Sequence, residues 1–320
     1  MKKLKKAYLE ITNLCNLRCS FCPGTKRKTG FIAPEDFHLL AGRLRPHTDY
    51  LYLHLMGEPL MHPLLGLFLD ICEENGLQVH LTTNGTLLYK QEEMLLNKSA
   101  LRQVNFSLHS IPFHEGGDEP EFYNDLDLTG AETYVRSIVR FAKRAAREKK
   151  KYSVLRLWNL NGQREVDSQS QAVMRILEEE FPNVSGLAET MKDHRSLMLE
   201  KGIFLSWEEE FVWPSIKNPY VSDEGICQGT RGMIGILADG TVVPCCLDAN
   251  GEAPLGNIFR EPLKDILESD YFIRISRNFD QRHVTLPLCR HCSYRTRFDK
   301  AKREESEEIP GETEQFSENP

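Results

Sequence analysis

The sequence has no apolar run long enough to cross a bilayer. Its basic start, Met1-Lys2-Lys3-Leu4-Lys5-Lys6, leads straight into a strand-like run. There is no apolar signal core and no small-residue cleavage site, so the cytoplasm is the default location. A field of positive charge is also missing: 40 Lys and Arg stand against 47 Asp and Glu, a net charge of −7, which does not call for nucleic acid globally. No internal repeat is visible, and no cysteine follows Cys292. The nine cysteines are odd in number. With Cys72 set aside as a core residue in an apolar helix stripe, eight fall into two groups, and in a cytosolic chain that clustering favours metal over disulfides.

What is present reads as an ordinary globular protein, with 40% hydrophobic and 27% charged residues over a length of 320. Strand-like and helix-like segments alternate over the first two hundred residues, the pattern of a parallel sheet covered by helices. Strands are expected at Ala7–Thr12, Tyr50–Met56, Val79–Thr83, Val104–Leu108 and Val154–Trp158, with a sixth within Ile203–Val212. Helices are expected at Pro34–Leu44, Pro63–Glu74, Lys90–Asn97, Ala131–Lys149 and Ser168–Phe181, with Asn75-Gly76 as a C-cap and Ser168 as an N-cap. Three units follow: residues 1–215, a Cys-rich unit at 216–299, and an acidic tail at 300–320 with too few apolar residues to order itself. Residues 111–130 form a long acidic loop at the end of the fourth strand, either a lid or a surface insertion.

Directly after the first strand comes Thr12-Asn13-Leu14-Cys15-Asn16-Leu17-Arg18-Cys19-Ser20-Phe21-Cys22-Pro23, three thiols at spacing C-x3-C-x2-C. Three thiolates can hold three corners of a [4Fe–4S] cube and leave the fourth iron open. A zinc knuckle also likes close cysteines, with His38 as the nearest histidine to complete it. In a barrel of parallel strands the chemistry gathers where the strands end, so the segments there are informative. They are Met56-Gly57-Glu58-Pro59, Thr83-Asn84-Gly85-Thr86, Ser107-Leu108-His109-Ser110, and Arg156 and Asn159 of the fifth strand.

The three-cysteine run resembles the signature of the radical S-adenosylmethionine (SAM) superfamily, and the aromatic Phe21 before the last cysteine fits it. The resemblance implies an α/β fold: a partial (β/α)6 radical SAM barrel with a small C-terminal Cys-rich α+β auxiliary-cluster domain. It implies that Cys15, Cys19 and Cys22 hold a [4Fe–4S] cluster that binds SAM and splits it by one electron to a 5′-deoxyadenosyl radical, which takes a hydrogen from the substrate. Phe21 would lie beside the adenine. Gly57 and Glu58 resemble the Gly-Gly-Glu-Pro loop that holds the SAM ammonium, with Met56 in place of the first glycine. Asn84 would line the pocket. Ser107 and His109 stand where the family commonly has Ser-x-Asp, and His109 is also a candidate catalytic residue able to exchange protons near neutrality. Arg156 and Asn159 are candidates for the SAM carboxylate and ribose.

The second cysteine set opens with Cys227, then Gly240 and Cys245 at C-x12-G-x4-C, and ends with Cys289 and Cys292 as C-x2-C. Asp239-Gly240 between two apolar runs is a hairpin signal. The spacing resembles the opening of the SPASM and Twitch domains found behind many radical SAM barrels, as do Leu255–Ile258 and the helix Pro262–Glu268. Cys227, Cys245, Cys289 and Cys292 are four thiolates, enough to close one auxiliary [4Fe–4S] cluster but not the two of a full SPASM domain. Cys246 is an alternative to Cys245, and a four-cysteine zinc ribbon is the alternative to a cluster.

These readings imply a radical SAM enzyme performing an oxidative change, dehydrogenation or cross-linking, on a peptide, protein or small molecule, with a flavodoxin- or ferredoxin-type electron donor. The absence of a winged module before the first strand disfavours a leader-peptide substrate. The basic run from Arg136 to Lys151 has an apolar stripe at Val135, Ile138, Val139, Ala142 and Ala146. Its charges face solvent or meet RNA phosphates, which keeps an RNA-modifying enzyme open. The competing reading outside enzymology is a zinc-binding adaptor with two cysteine knuckles.

Overall fold

In the parallel strands residues alternate between a face of aliphatic side chains and a face of polar and aromatic ones. That pattern bends the sheet around a polar interior and presses helices onto its apolar outside. The structure, a computed structural model, describes residues 3–110, 130–160 and 168–299. Among them are the strands β1 (Lys6–Leu9), β2 (Tyr50–Leu53), β3 (Gln78–Thr83), β4 (Leu101–Ser107), β5 (Tyr152–Leu160), β6 (Ser196–Glu200), β7 (Ile203–Glu209), β8 (Met233–Ile236), β9 (Thr241–Val243) and β10 (Gly256–Asn257). The helices are α1 (Pro34–Leu44), α2 (Leu65–Glu74), α3 (Leu88–Asn97), α4 (Gly130–Lys149), α5 (Ser168–Glu180), α6 (Leu187–Asp193), α7 (Leu263–Glu268), α8 (Asp270–Asp280) and α9 (Pro287–Arg290). The expected lid loop and acidic tail lie outside the described residues.

All ten strands form one sheet in the order β10-β9-β8-β1-β2-β3-β4-β5-β7-β6. Six of them, β1, β2, β3, β4, β5 and β7, run parallel in sequence and make the open barrel. The expected sixth strand is β7, and it ends at Glu209. The antiparallel β6 pairs along its free side, an element too short to read from periodicity. At the opposite edge β8 pairs in parallel with β1 over Lys6↔Met233 to Leu9↔Ile236, so the Asp-Gly hairpin β8–β9 extends the barrel's own sheet. An uncovered β1 would offer a row of unpaired amides, and the hairpin removes that edge. Gly240 turns it with φ +81°, where an added Cβ would strike Phe259 at 2.3 Å.

The helices follow from their spacing. α1 starts on Pro34 and buries Phe37, Leu40, Ala41 and Leu44, an i, i+3, i+4, i+7 stripe. Phe37 stacks on Phe68 of α2 at 4.1 Å. Each such fully buried side chain contributes about 1.5–3 kcal/mol. α4 buries Val135, Ile138, Val139 and Ala142 as its sequence demands. Cys72 sits in the core as expected. The hydroxyls, imidazoles and guanidinium of the inner face are left to the barrel's interior, which is where the site lies.

Candidate functional site

The loop after β1 carries Cys15, Cys19 and Cys22, and all three line a cavity of roughly 510 Å3 at the C-terminal end of the barrel strands. Two neighbouring loops clamp it. Gly57, at φ +79°, lies so close to the Cys15 loop that an added Cβ would stand 2.5 Å from the Thr12 carbonyl and 2.7 Å from that of Leu14. The Glu58 amide donates to the Leu14 carbonyl at 2.7 Å. The Asn84 side chain donates to the Asn16 amide oxygen at 3.0 Å, and its Nδ2 lies 3.9 Å from the Cys15 sulfur. Asn16 in turn donates to Thr86 at 2.8 Å. Asn84, expected to line the pocket, does line it and also ties the third strand's loop to the cysteine loop.

Glu58 is buried and its carboxylate is already engaged. Oε1 accepts from the Leu60 amide at 2.9 Å and the Thr83 hydroxyl at 2.6 Å, and Oε2 accepts from the Asn84 amide at 2.7 Å. Burial pushes its pKa up to about 7 against the pull of these three donors. Its geometry is that of a brace between two loops. Phe21 packs on His109, ring centroids 5.1 Å apart. His109 Nδ1 lies 3.2 Å from the Arg156 carbonyl and 3.4 Å from the Trp158 amide. Burial pushes His109 down to about 4, so at pH 7 it is neutral, and the proton exchange near neutrality expected from sequence is displaced to acid. Ser107 lines the cavity, opposite Arg156 in the β4–β5 register. Arg156 lines the same cavity as the cysteine loop, with Tyr8, Cys246, Tyr294 and Tyr52 among its electrostatic neighbours. Asn159 is on β5, with its side chain outside the described residues.

The second set gathers across the hairpin. Cys245 has Cys227 and Cys289 among its electrostatic neighbours, Cys227 has Cys292, and Cys289 has both Cys227 and Cys292. Burial raises all four thiols, Cys227 to about 11. It likewise takes Cys15 to about 12. Buried thiols of this kind ionise when a metal supplies the positive charge. Cys246 faces the other way. It lines the cavity and has Lys6, Tyr8 and Arg156 around it. Among the described residues no three or more His, Cys, Asp or Glu side chains are arranged to hold a metal ion. The first set offers three sulfur donors and the second four, the donor chemistry of an iron–sulfur cluster.

Three positions that hold the loops around the thiols escape sequence reading. Arg295, buried, donates to the carbonyls of Cys289, Glu224 and Ser222 at 2.9, 2.7 and 2.6 Å, fixing the loops beside the second thiol set. Glu10, fully buried at the end of β1, takes a bidentate pair from Arg27 at 2.8 and 2.6 Å and the Ala238 amide at 3.2 Å. Arg27 also donates to the Ala249 carbonyl at 3.0 Å, so the segment after the first cysteines is tied to the C-terminal loop. In sequence Glu10 is only a polar residue in an alternating run, and nothing local marks its partner.

The basic helix is occupied by carboxylates. Arg136 pairs with Glu132, Glu179 and Glu180, Lys143 with Glu180, Arg144 with Glu92 and Glu93, and Arg147 with Glu200. Lys151 donates to the carbonyls of Lys98 and Leu101. Most of its cations thus meet carboxylates or carbonyls within the protein.

An open parallel barrel with a three-thiol loop at its mouth and a second set of thiols after the hairpin has the donors of an iron–sulfur protein. The particular family follows from comparison: residues 9–166 match the radical SAM superfamily and residues 227–293 match SPASM, an iron–sulfur cluster-binding domain. The chain thus carries a radical SAM domain followed by a SPASM domain, and domains of these two families bind [4Fe–4S] clusters and SAM. Over 116 residues it is 31% identical to the tungsten-containing aldehyde ferredoxin oxidoreductase cofactor-modifying protein of Pyrococcus furiosus, covering 34% of this chain and 32% of that protein. Over 130 residues it is 30% identical to the GTP 3′,8-cyclase of Alkaliphilus metalliredigens, covering 38% of each. The matched stretch thus spans well under two thirds of these curated relatives. Among solved structures, BtrN in complex with AdoMet and 2-DOIA is similar with a TM-score of 0.55 at 18% identity, over 92% of this chain and 94% of that one. Streptococcus suis SuiB bound to precursor peptide SuiA gives 0.59 at 14%, over 92% and 73%. At these identities the likeness is one of fold. Among the described residues no helix is long and apolar enough to cross a membrane.

Proposed function

We propose that Cys15, Cys19 and Cys22 hold the SAM-binding cluster, that Cys227, Cys245, Cys289 and Cys292 close one auxiliary [4Fe–4S] cluster, and that the enzyme performs an oxidative modification of a peptide, protein or small molecule. When bound, the first cluster supplies the electron that breaks SAM to a 5′-deoxyadenosyl radical. The protein's own part is positioning. Gly57 lets the backbone after β2 approach the cysteine loop, Glu58 braces that loop against Asn84, and Phe21 with His109 walls the adenine side. Neutral His109 offers a hydrogen bond rather than a charge. Ser107 lines the pocket beside it. Trp158, Phe211 and Trp213 line the same cavity and give it apolar walls, which suit a carbon radical that must not meet water. Reducing equivalents come from a flavodoxin- or ferredoxin-type partner.

The observation that carries this reading is the split between adjacent thiols: Cys245 has Cys227 and Cys289 of its set around it, whereas Cys246 lines the cavity beside Lys6, Tyr8 and Arg156. The thiolate count gives about eight irons for the two clusters. Cys245→Ala is expected to lower the iron content of anaerobically purified protein to about four, while Cys246→Ala leaves it unchanged. Iron loss in Cys246→Ala with retention in Cys245→Ala would overturn the ligand assignment.

A further inference from the structure

Buried polar atoms without partners collect beneath the mouth of the cavity. Among the described residues, five buried side-chain nitrogens and oxygens make no hydrogen bond, and four of them belong to His54, His80 and Arg156. Arg156 projects from the inner face of β5 and lies over Trp158, 4.5 Å from the ring centroid. Its Nε is buried and unpartnered, while the residue lines the cavity. The groups facing it are Tyr8, Tyr52, Tyr294 and Cys246, with no carboxylate among them. The acids that line the cavity are Glu58, held by three donors, and Glu210, exposed. Lys6 of β1 lies nearby, 5.6 Å over the Tyr52 ring, and no ion pair is formed by it among the described residues. Burial opposes both charges: it draws Arg156 down to about 10 and lowers Lys6. Charged side chains inside proteins are ordinarily paired. Here two cations share an interior with neutral tyrosines and with imidazoles that burial keeps neutral, His54 at about 3 and His80 at about 4.

We infer that the substrate carries an anionic oxygen group, a carboxylate or a phosphate, and that the Arg156 guanidinium binds it on the floor of the cavity. This rests on the reading above that the cavity takes SAM at its mouth and substrate below. The planar fork of Arg156 matches either group with two parallel hydrogen bonds. Lys6 adds longer-range attraction from behind Tyr52. Cys246, on the same floor, comes within the substrate's surroundings, and the auxiliary thiol set begins one residue away. The SAM carboxylate, which the sequence resemblance gave to Arg156, is the competing ligand in the same cavity, and the test separates the two.

The test uses anaerobic holoenzyme with SAM and two probes, inorganic phosphate and succinate, titrated separately by calorimetry. Wild type is expected to bind at least one, and which one it binds identifies the group. Arg156→Gln is expected to weaken that binding at least tenfold while SAM affinity and the electron paramagnetic resonance signals of both clusters stay as in wild type. Arg156→Lys, which keeps the charge, is expected to lose less, and it serves if the glutamine variant does not fold. Absence of probe binding in wild type, or equal binding in Arg156→Gln, overturns the inference. Loss of SAM affinity in Arg156→Gln would return the residue to SAM, and an altered auxiliary signal would assign it to that cluster's charge. Either result also overturns it. Formation of 5′-deoxyadenosine by wild type, measured alongside, reports separately on the radical SAM reading.

Discussion

An alanine at position 57 would place a methyl group 2.5 Å from one carbonyl and 2.7 Å from another, both in the loop that leads to Cys15. The backbone there also holds φ +79°, a region that only glycine enters freely. Neither loop can yield without moving thiols or the Glu58 brace. Gly57→Ala is therefore expected to cost about 2–4 kcal/mol of stability, in the range of strained or overpacked sites, and to weaken SAM binding at least tenfold. Thermal unfolding and SAM titration check it, and a variant with wild-type values on both would remove the clamp from the account. The resemblance pointed to this glycine because it matched a loop motif. That its reason for being glycine is the neighbouring cysteine loop depends on a contact across more than 40 residues of sequence, which no local pattern carries.

At the level of elements, the chief connection is between the first strand's end and the C-terminal hairpin. Glu10 and Arg27 form a pair whose side chains are 0% and 15% exposed, and both also reach the hairpin side. Removing one partner leaves the other charged and buried, which costs about 3–5 kcal/mol. Arg27→Met is expected to lose that much, whereas Glu10→Leu/Arg27→Met loses less than the sum of the singles. Urea unfolding of the two singles and the double measures it, and strict additivity would show that the pair is not coupled. Most elements were legible beforehand: Pro34–Leu44 matched to the residue, because its proline start and apolar spacing agree. The β8–β9 hairpin was legible from Asp239-Gly240, but not its parallel pairing to β1, since register between segments more than 200 residues apart leaves no periodic mark. β6 was missed because five residues with three apolar side chains resemble any short loop.

The whole molecule responds to pH through imidazoles kept inside it. His54, His80 and His109 have pKa values of about 3, 4 and 4 in the fold, below the ordinary value of 6.5. Between pH 6.5 and 4 the unfolded chain binds more protons at these sites than the folded one. Stability is therefore fully present above pH 6.5 and falls as pH drops through that window, by up to about 1.4 kcal/mol per histidine per pH unit. Glu58, raised to about 7 by burial, acts in the opposite direction, adding stability as pH falls from 7 towards 4.5. Burial raises Glu10 and Asp248 in the same sense as Glu58, and it lowers His47 and His62 in the same sense as the three histidines. His80→Phe, which removes two unpartnered ring nitrogens, is expected to unfold less steeply than wild type between pH 6.5 and 5. Parallel curves for the two proteins would refute the burial argument. The site as a whole was legible in its thiols, because cysteine spacing is local. The floor around Arg156 was not, because Lys6, Tyr8, Tyr52, Cys246 and Tyr294 meet there from four distant segments. The central claim is an iron cube held by three thiolates that cleaves SAM. It is tested most directly by incubating reconstituted protein with SAM and a strong reductant and measuring 5′-deoxyadenosine. Wild type is expected to form it, and Cys19→Ala to form none while keeping about half of the iron. No product from wild type, or equal product from Cys19→Ala, would contradict the claim.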